Sequence, residues 1–194
     1  QDMAAVLEEV KGSINPNAVV ITFAAGKTIS FISNALGTGN PVVRVMPNTP
    51  TLVGAGMAAA SMGTGVTAAH KQFVLGFLAA TGKVIEVTED LQDAVTATSG
   101  SGPAYFFAFV EAMVAGAKAL GLSEADATTL TIQTIVGAAQ LLDESGKSPT
   151  TLRENVTSPN GTTAAALASF AASDLNSTVA MAMKAARDRS QELA

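Results

Sequence analysis

Residues 18–26 read Ala-Val-Val-Ile-Thr-Phe-Ala-Ala-Gly, and this stretch decides the fold class. Its short run of β-branched residues predicts a buried parallel strand over 18–23. Small residues then predict a turn, and apolar side chains at helical spacing predict a helix over 27–36. Further strand patterns lie at 42–46, 57–60 and 83–87, and further helix patterns at 2–12 and 68–80. This alternation predicts an α/β domain over residues 1–90, doubly wound around a mostly parallel sheet.

Beyond residue 91 the pattern becomes helical. Windows rich in Ala, Leu, Met and Val at 103–120, 123–144 and 163–192 predict three or four helices, and therefore an all-α domain over 91–194. The window 103–120 is apolar almost all round, so its helix has to be buried on every side. A domain of this size has too few helices to cover it. We therefore expect a second copy of the chain to cover it, as a dimer.

Composition excludes several classes of function. A net charge of −5 without any basic run argues against nucleic acid as a partner. The absence of cysteine excludes disulfides and thiol nucleophiles, and a single histidine, His70, cannot build a multi-histidine metal site. We expect His70 to lie at an exposed helix start without a catalytic role. Uninterrupted apolar runs are too short to predict a membrane span, and the organisation of a signal peptide is missing.

Residues 155–163, Asn-Val-Thr-Ser-Pro-Asn-Gly-Thr-Thr, lead directly into an alanine-rich helix pattern. A helix start of this kind presents unpaired backbone N–H groups and the positive end of the helix dipole, which favour a bound anion. An ordinary N-cap is the alternative interpretation. A second turn of small residues at 99–103, Ser-Gly-Ser-Gly-Pro, opens another long helix and favours a shared pocket.

The chain contains no Gly-x-Gly-x-x-Gly sequence, the usual phosphate loop of a dinucleotide-binding fold. Two predicted strand ends nevertheless suit a ligand. Phe23-Ala24-Ala25 offers small residues that let a flat ring approach the backbone, and the proline-flanked turn at Pro47-Asn48 is rigid. A plain strand exit and a plain loop are the alternative interpretations of these two segments.

Three segments together resemble pyrroline-5-carboxylate reductase, the enzyme of the last step of proline biosynthesis. They are Val-Met-Pro-Asn-Thr-Pro at 45–50, Asp-Ala-Val-Thr-Ala-Thr-Ser-Gly-Ser-Gly-Pro-Ala-Tyr at 93–105 and Val-Thr-Ser-Pro-Asn-Gly-Thr-Thr at 156–163. The resemblance extends over essentially the whole chain, except that the family's N-terminal glycine-rich segment has no counterpart. The chain also begins at Gln1 inside a helix pattern. We therefore expect these residues to be part of a longer protein and to have little activity alone.

The resemblance implies a partial Rossmann domain that binds NADPH or NADH, followed by a helical dimerisation domain. It implies cytoplasmic homodimers that can assemble into a decamer, with 1-pyrroline-5-carboxylate as substrate and L-proline as product. The cofactor would contact two strand ends and one asparagine of the helical domain: Phe23, Ala24, Ala25, Pro47, Asn48 and Asn155. The substrate would contact one acid and the start of one helix: Glu89, Ser158, Gly161, Thr162 and Thr163.

The chemistry explains why so few titratable groups are needed. The substrate is a cyclic imine that can be protonated in water before it binds, so the carbon that accepts hydride is already electrophilic. We expect N–H groups around Gly161, Thr162 and Thr163 to hold the substrate carboxylate. The Thr163 hydroxyl would hydrogen-bond the ring nitrogen and act as the catalytic group.

Two departures from the family pattern lie near these positions. Asn160 stands where the family usually has glycine, and asparagine tolerates a positive φ well enough to preserve the turn. Ser173-Asp174-Leu175 replaces the family's Gly-Gly-Phe before the last helix.

Two other functions stay open at this stage. A hydroxy-acid dehydrogenase of the same architecture would employ a lysine on the first long helix, where only Glu111 and the late Lys118 are available. The chain could otherwise serve as a non-catalytic dimerisation fragment of the reductase.

Overall fold

The computed structural model describes residues 3–193, and the chain divides into two compact units. Within the described residues, the first comprises 3–103 and 182–193, and the second comprises 104–181. The predicted domain boundary at residue 90 remains a prediction.

Four strands within the described residues form one sheet in the order β1-β2-β3-β4. They are β1 (Val20–Thr22), β2 (Val42–Met46), β3 (Gly56–Met62) and β4 (Gly82–Glu86). The pairings β1–β2 and β3–β4 are parallel, whereas β2 and β3 are antiparallel. This agrees with the predicted mostly parallel sheet.

Helices α1 (Met3–Val10), α2 (Ile29–Leu36) and α3 (Ala68–Ala79) cover the two faces of this sheet. Successive side chains of a strand point to opposite faces, and β2 shows the consequence. Val43 and Val45 pack in the core beside α3, while Val42 packs with residues of α1 and α2. All three valines are buried. Because β2 is covered on both faces, it reads as an apolar run, and the predicted doubly wound arrangement is confirmed.

Beyond β4 the described chain is helical. A 3₁₀ turn (Glu89–Leu91), the short α4 (Gln92–Val95) and a π-helical turn (Thr96–Gly100) lead into five longer helices. These are α5 (Gly102–Ala119), α6 (Glu124–Glu144), α7 (Pro149–Asn155), α8 (Thr162–Ala172) and α9 (Leu175–Glu192). The sequence predicted three or four helices here. The window 163–192 contains two, because Asp174 adopts a φ of +50°, which no helix interior allows.

Helix α5 lies in the window predicted to be apolar all round, and it is poorly covered by its own chain. Phe106 and Phe107 are 62% and 64% exposed. Phe109 makes a ring contact with Phe170 of α8, with ring centroids 6.3 Å apart. The apolar surface of α5 is therefore available for a partner.

The paired starts of β3 and β4 require glycine. A Cβ atom on Gly82 would overlap the carbonyl oxygen of Gly56, so Gly82→Ala should lower the free energy of unfolding by at least about 2 kcal/mol. Gly76 is the matched control, since it lies inside α3 with open space around it. Gly76→Ala should raise stability by about 0.5–1 kcal/mol. Urea unfolding followed by circular dichroism measures both, and equal midpoints for the two variants would contradict the argument.

Candidate functional site

The loop between α7 and α8 carries the predicted substrate residues of the second unit. Gly161 is the N-cap of α8, and its N–H donates to the carbonyl oxygen of Ser158 over 3.0 Å. A Cβ atom on Gly161 would meet the Ser158 hydroxyl, so a side chain at this position would displace that hydroxyl. Thr162 begins the helix and is exposed, while Thr163 is half-buried.

No side chain caps the start of α8, whereas five other helices of the described residues have a side-chain acceptor there. Hydroxyl oxygens of Thr28, Thr67, Ser123 and Ser148 accept the N3 N–H of α2, α3, α6 and α7. In α9 the Asp174 carboxylate accepts the N–H of Ser177 over 3.4 Å. The first N–H groups of α8 therefore lack the side-chain acceptor that these other helices have, and they lie at the positive end of a dipole. This arrangement suits an anion.

The turn before α8 depends on Asn160, which adopts a φ of +57°. The expectation that asparagine preserves this turn in place of glycine is confirmed. Upstream, Asn155 is the last residue of α7 and is exposed, as is Ser158. The structure thus places Asn155, Ser158 and the start of α8 in one short segment of the second unit.

The predicted nicotinamide residues lie in the first unit. Phe23, Ala24 and Ala25 directly follow β1, and Pro47 and Asn48 directly follow β2. Because β1 and β2 are parallel, their carboxyl ends share one edge of the sheet, where doubly wound proteins bind ligands.

The surface at this edge is open. Phe23 is 48% exposed, Ala25 is exposed, and Ala24 and Pro47 are half-buried. The Ala24 N–H donates to the Thr22 hydroxyl oxygen over 3.3 Å, which fixes the first turn of the loop.

The Asn48 side chain has a structural task that the sequence did not predict. Its Oδ1 accepts the N–H of Met57 over 2.8 Å, and its Nδ2 donates to the carbonyl oxygen of Ser99 over 3.1 Å. Asn48 therefore joins the end of β2 both to β3 and to the π-helical turn. Its predicted contact with the cofactor remains a prediction.

The predicted substrate residue Glu89 belongs to a partly buried ion cluster around Arg44. Arg44 of β2 has a side chain that is 7% exposed, and its Nη1 lies 3.4 Å from Glu89 Oε1. Its Nη2 lies 3.7 Å from Asp93 Oδ1, which also accepts a hydrogen bond from the Ser190 hydroxyl over 2.7 Å. Sequence reasoning missed Arg44. The signal was a lone charge among the valines of a buried strand, since a buried charge needs a partner.

Other titratable groups are remote from these roles. His70 is half-buried, and its Nδ1 accepts the Thr67 N–H over 3.4 Å, so it helps to cap α3. On α9 the pKa of the Asp188 carboxyl lies below its usual range because Lys184 donates a hydrogen bond to it, and Arg187 donates another.

Within residues 3–193, no cluster of three His, Cys, Asp or Glu side chains could hold a metal ion. Among the same residues, no helix is both long and apolar enough to cross a membrane.

Comparisons with known proteins identify the family. Residues 89–193 match the family model for pyrroline-5-carboxylate reductase dimerisation. Pyrroline-5-carboxylate reductase from Corynebacterium melassecola is 43% identical over 191 residues, which cover 97% of this chain and 71% of the relative. The chain belongs to the pyrroline-5-carboxylate reductase family.

Solved structures of reductases agree with the described fold. A Plasmodium falciparum pyrroline carboxylate reductase with NADP bound matches with a TM-score of 0.92 at 31% identity, over 99% of this chain and 77% of that one. A pyrroline-5-carboxylate reductase from Coxiella burnetii matches with a TM-score of 0.92 at 38% identity, over 100% of this chain and 72% of that one.

Membership of the reductase family confirms three predictions: the fold class, the family itself and the use of NAD(P)H in the reduction of 1-pyrroline-5-carboxylate. The roles of individual residues remain predictions. The turn at Asn160 gives a prediction that can be tested without the enzyme's substrates.

Asn160→Ala should lower the free energy of unfolding by about 1 kcal/mol, because alanine lacks the local hydrogen bonding that helps asparagine tolerate a positive φ. Asn160→Gly should stay within about 0.5 kcal/mol of the parent protein, since glycine adopts this φ readily. Asn176→Ala in the exposed first turn of α9 is the control, and it should not destabilise the protein. Urea denaturation measures all three. An Asn160→Ala variant as stable as the glycine variant would contradict the assignment.

Proposed function

We propose that the first turn of α8 binds the carboxylate of 1-pyrroline-5-carboxylate during its NAD(P)H-dependent reduction to L-proline. The observation that carries this proposal is the glycine N-cap of α8, which leaves the helix start without a side-chain acceptor. Thr162 and Thr163 supply N–H groups, and Gly161 leaves room for the ligand. The Ser158 hydroxyl, beside Gly161, gives the carboxylate a further donor.

The residues at the carboxyl edge of the sheet fit the reduced cofactor. Two alanines leave the backbone after β1 accessible to a flat ring, and the exposed Phe23 offers an apolar surface. Pro47 and Asn48 line the same edge after β2. The contact of Asn155 with the cofactor remains a prediction. When bound, the nicotinamide supplies the hydride. The chain holds no Gly-x-Gly-x-x-Gly sequence, so we expect NAD(P)H to bind weakly to these residues alone.

Thr163 orients the reacting bond. The protonated substrate carries an N–H that donates to Thr163 Oγ1, which holds the C=N plane in a fixed orientation. Hydride then adds to the imine carbon, which becomes C5 of proline, and the π electrons of the C=N bond move to nitrogen to give the secondary amine of proline. The hydroxyl stays within hydrogen-bonding reach of that nitrogen throughout and can relay its proton.

Glu89 can serve the substrate with one oxygen. Its Oε1 accepts the N–H of Ile29 over 2.6 Å and faces Arg44. No hydrogen bond to its Oε2 is found among the described residues, and the side chain is one-third exposed. We assign Oε2 to the positive charge of the iminium.

The assembly that we propose is a homodimer formed through α5. Its exposed phenylalanines lie within the residues that match the family's dimerisation model. A second copy of the chain offers the same apolar surface in return, as a two-fold interface requires. Decameric assembly and a cytoplasmic location remain predictions.

The alternative function, a hydroxy-acid dehydrogenase, would require a catalytic lysine on α5, and Lys118 does not suit that role. Lys118 lies near the end of α5, is exposed, and pairs with Glu124 over 3.0 Å. This confirms that Lys118 faces the surface. It is a surface ion pair and not a catalytic arrangement, so the geometry favours the reductase.

Oxidation of NAD(P)H in the presence of pyrroline-5-carboxylate tests the function, using the protein that contains this chain. Thr163→Ala should lower kcat about tenfold to hundredfold, because one hydrogen bond to the reacting nitrogen is lost. The KM for NAD(P)H should change less than twofold, and Thr163→Ser should recover most of the rate. Absence of substrate-dependent oxidation in the parent protein would refute the function. An unchanged kcat in Thr163→Ala would remove Thr163 from the mechanism.

Phe107→Glu should convert the dimer into monomers, because it places a charge in the proposed apolar interface. Sedimentation velocity at micromolar concentration measures this. Leu52→Glu is the matched control, since Leu52 is an exposed leucine of the first unit, and it should leave the dimer intact. A parent protein that sediments as a monomer, or a dimeric Phe107→Glu variant, would contradict the proposed interface.

A further inference from the structure

We propose that Arg44 is a positioning residue for hydride transfer, because its side chain holds, through Glu89, the exit of the loop that we assign to the nicotinamide, while its backbone pairs with the strand end at the entry. This inference deepens the proposed function and rests on it. The loop comprises residues 23–28, between β1 and α2. Arg44 lies on β2 and contributes nothing to the loop's own sequence.

Arg44 fixes the entry to the loop through strand pairing. In the parallel register of β1 and β2, Arg44 is the partner of Thr22, the last residue of β1. Thr22 in turn accepts the Ala24 N–H with its hydroxyl. The backbone at Arg44 therefore sets where the chain leaves the sheet.

Arg44 fixes the exit from the loop through its side chain. Its Nη1 faces Glu89 Oε1 at 3.4 Å, and that oxygen accepts the N–H of Ile29, the first residue of α2, over 2.6 Å. The hydroxyl oxygen of Thr28 accepts the N–H of Phe31 in the same turn over 3.1 Å. The first turn of α2 is thus held by one local side chain and by one carboxylate from 60 residues further along the chain.

The geometry requires a charged and branched side chain at position 44. The buried guanidinium reaches two carboxylates, those of Glu89 and Asp93, with two different nitrogen atoms. A lysine provides the charge but a single point of contact, so it can serve one carboxylate well at a time. Asp93 is further held by the hydroxyl of Ser190 on α9. Because Asp93 holds the guanidinium of Arg44 in place, Arg44 can in turn hold the Glu89 carboxylate in one position.

The consequence is a loop whose Ala24 and Ala25 backbone has one position relative to the sheet edge. Loss of the Arg44 side chain frees the Glu89 carboxylate, and the first turn of α2 and the preceding loop move with it. A displacement of about 1 Å at a hydride donor site can reduce the rate about a hundredfold. A more mobile loop over residues 23–28 also weakens binding of the dinucleotide.

The experiment compares Arg44→Gln, Arg44→Lys and the parent protein in the pyrroline-5-carboxylate assay. Arg44→Gln should raise the KM for NAD(P)H about tenfold and lower kcat by a similar factor, and Arg44→Lys should recover part of both losses. Amide hydrogen exchange at Ile29 and Phe31 should accelerate in the same order. Lys71→Gln is the matched control, because Lys71 pairs with Glu86 in the same unit but lies on the surface, and it should change none of these values.

The exchange measurement separates the inference from the proposed function. If the parent protein reduces no pyrroline-5-carboxylate, the function fails, while exchange at Ile29 still tests the hold of Arg44 on α2. If Arg44→Gln does not fold, Arg44→Lys decides by the same readouts. A lowered melting temperature with unchanged kinetic constants and unchanged exchange at Ile29 would reduce Arg44 to a purely structural residue and overturn the proposal.

Discussion

Strand β2 is covered on both of its faces, and the organisation of the first unit depends on this constraint. Val43 and Val45 fill the core beside α3, so the opposite face of the strand is left to Val42 and Arg44. Valine satisfies such a position by packing alone. A guanidinium cannot, because taking an unpaired charge out of water costs several kcal/mol. The carboxylates of Glu89 and Asp93 compensate it, and through them the segment after β4 is held against β2. The same cluster satisfies the first N–H of α2, so one buried charge organises a strand, a helix start and a 3₁₀ turn.

The two candidate regions solve the problem of a helix start in opposite ways. In α2 the N–H groups of Ile29 and Phe31 already have side-chain acceptors, which are Glu89 and Thr28. In α8 the cap is a glycine, and the donors of the first turn have no side-chain acceptor. A helix start without a side-chain cap suits a protein that binds a small anion, because the anion can then accept the free N–H groups of the first turn. The start of α2 is held by the protein's own side chains, and the start of α8 keeps donors for the carboxylate that we propose to bind there.

The parts of this structure that sequence could predict are those decided within a few residues. The β-branched run Val-Val-Arg-Val-Met predicted β2 with its observed bounds of 42–46, because a strand buried on both faces has no polar alternation to blur its ends. The positive φ of Asn160 followed from the family's glycine at that position. The corner at Asp174 was expected from the family's Gly-Gly-Phe before the last helix, whereas the helical window 163–192 did not show it by composition alone. Arg44 was missed for a different reason. Its partners Glu89 and Asp93 lie 45 and 49 residues further along the chain, and no local sequence pattern predicts such a pairing.

The chemistry of the family explains why the site residues are harder to predict than the fold. When the electrophile arrives already protonated, the protein needs no strong acid, no metal and no perturbed carboxyl group beside the reacting carbon, so the usual sequence signals of catalysis are weak. What remains is geometry, and the residues to which we assign it are a glycine, a threonine and two alanines. These residue types are common in ordinary turns and caps. These residue types become informative when the structure shows a helix start whose N–H groups have no side-chain acceptor. A buried charge whose partners lie far away in the sequence is informative in the same way. The uncapped α8 and the buried Arg44 are two such features, and both concern residues that we assign to the proposed reaction.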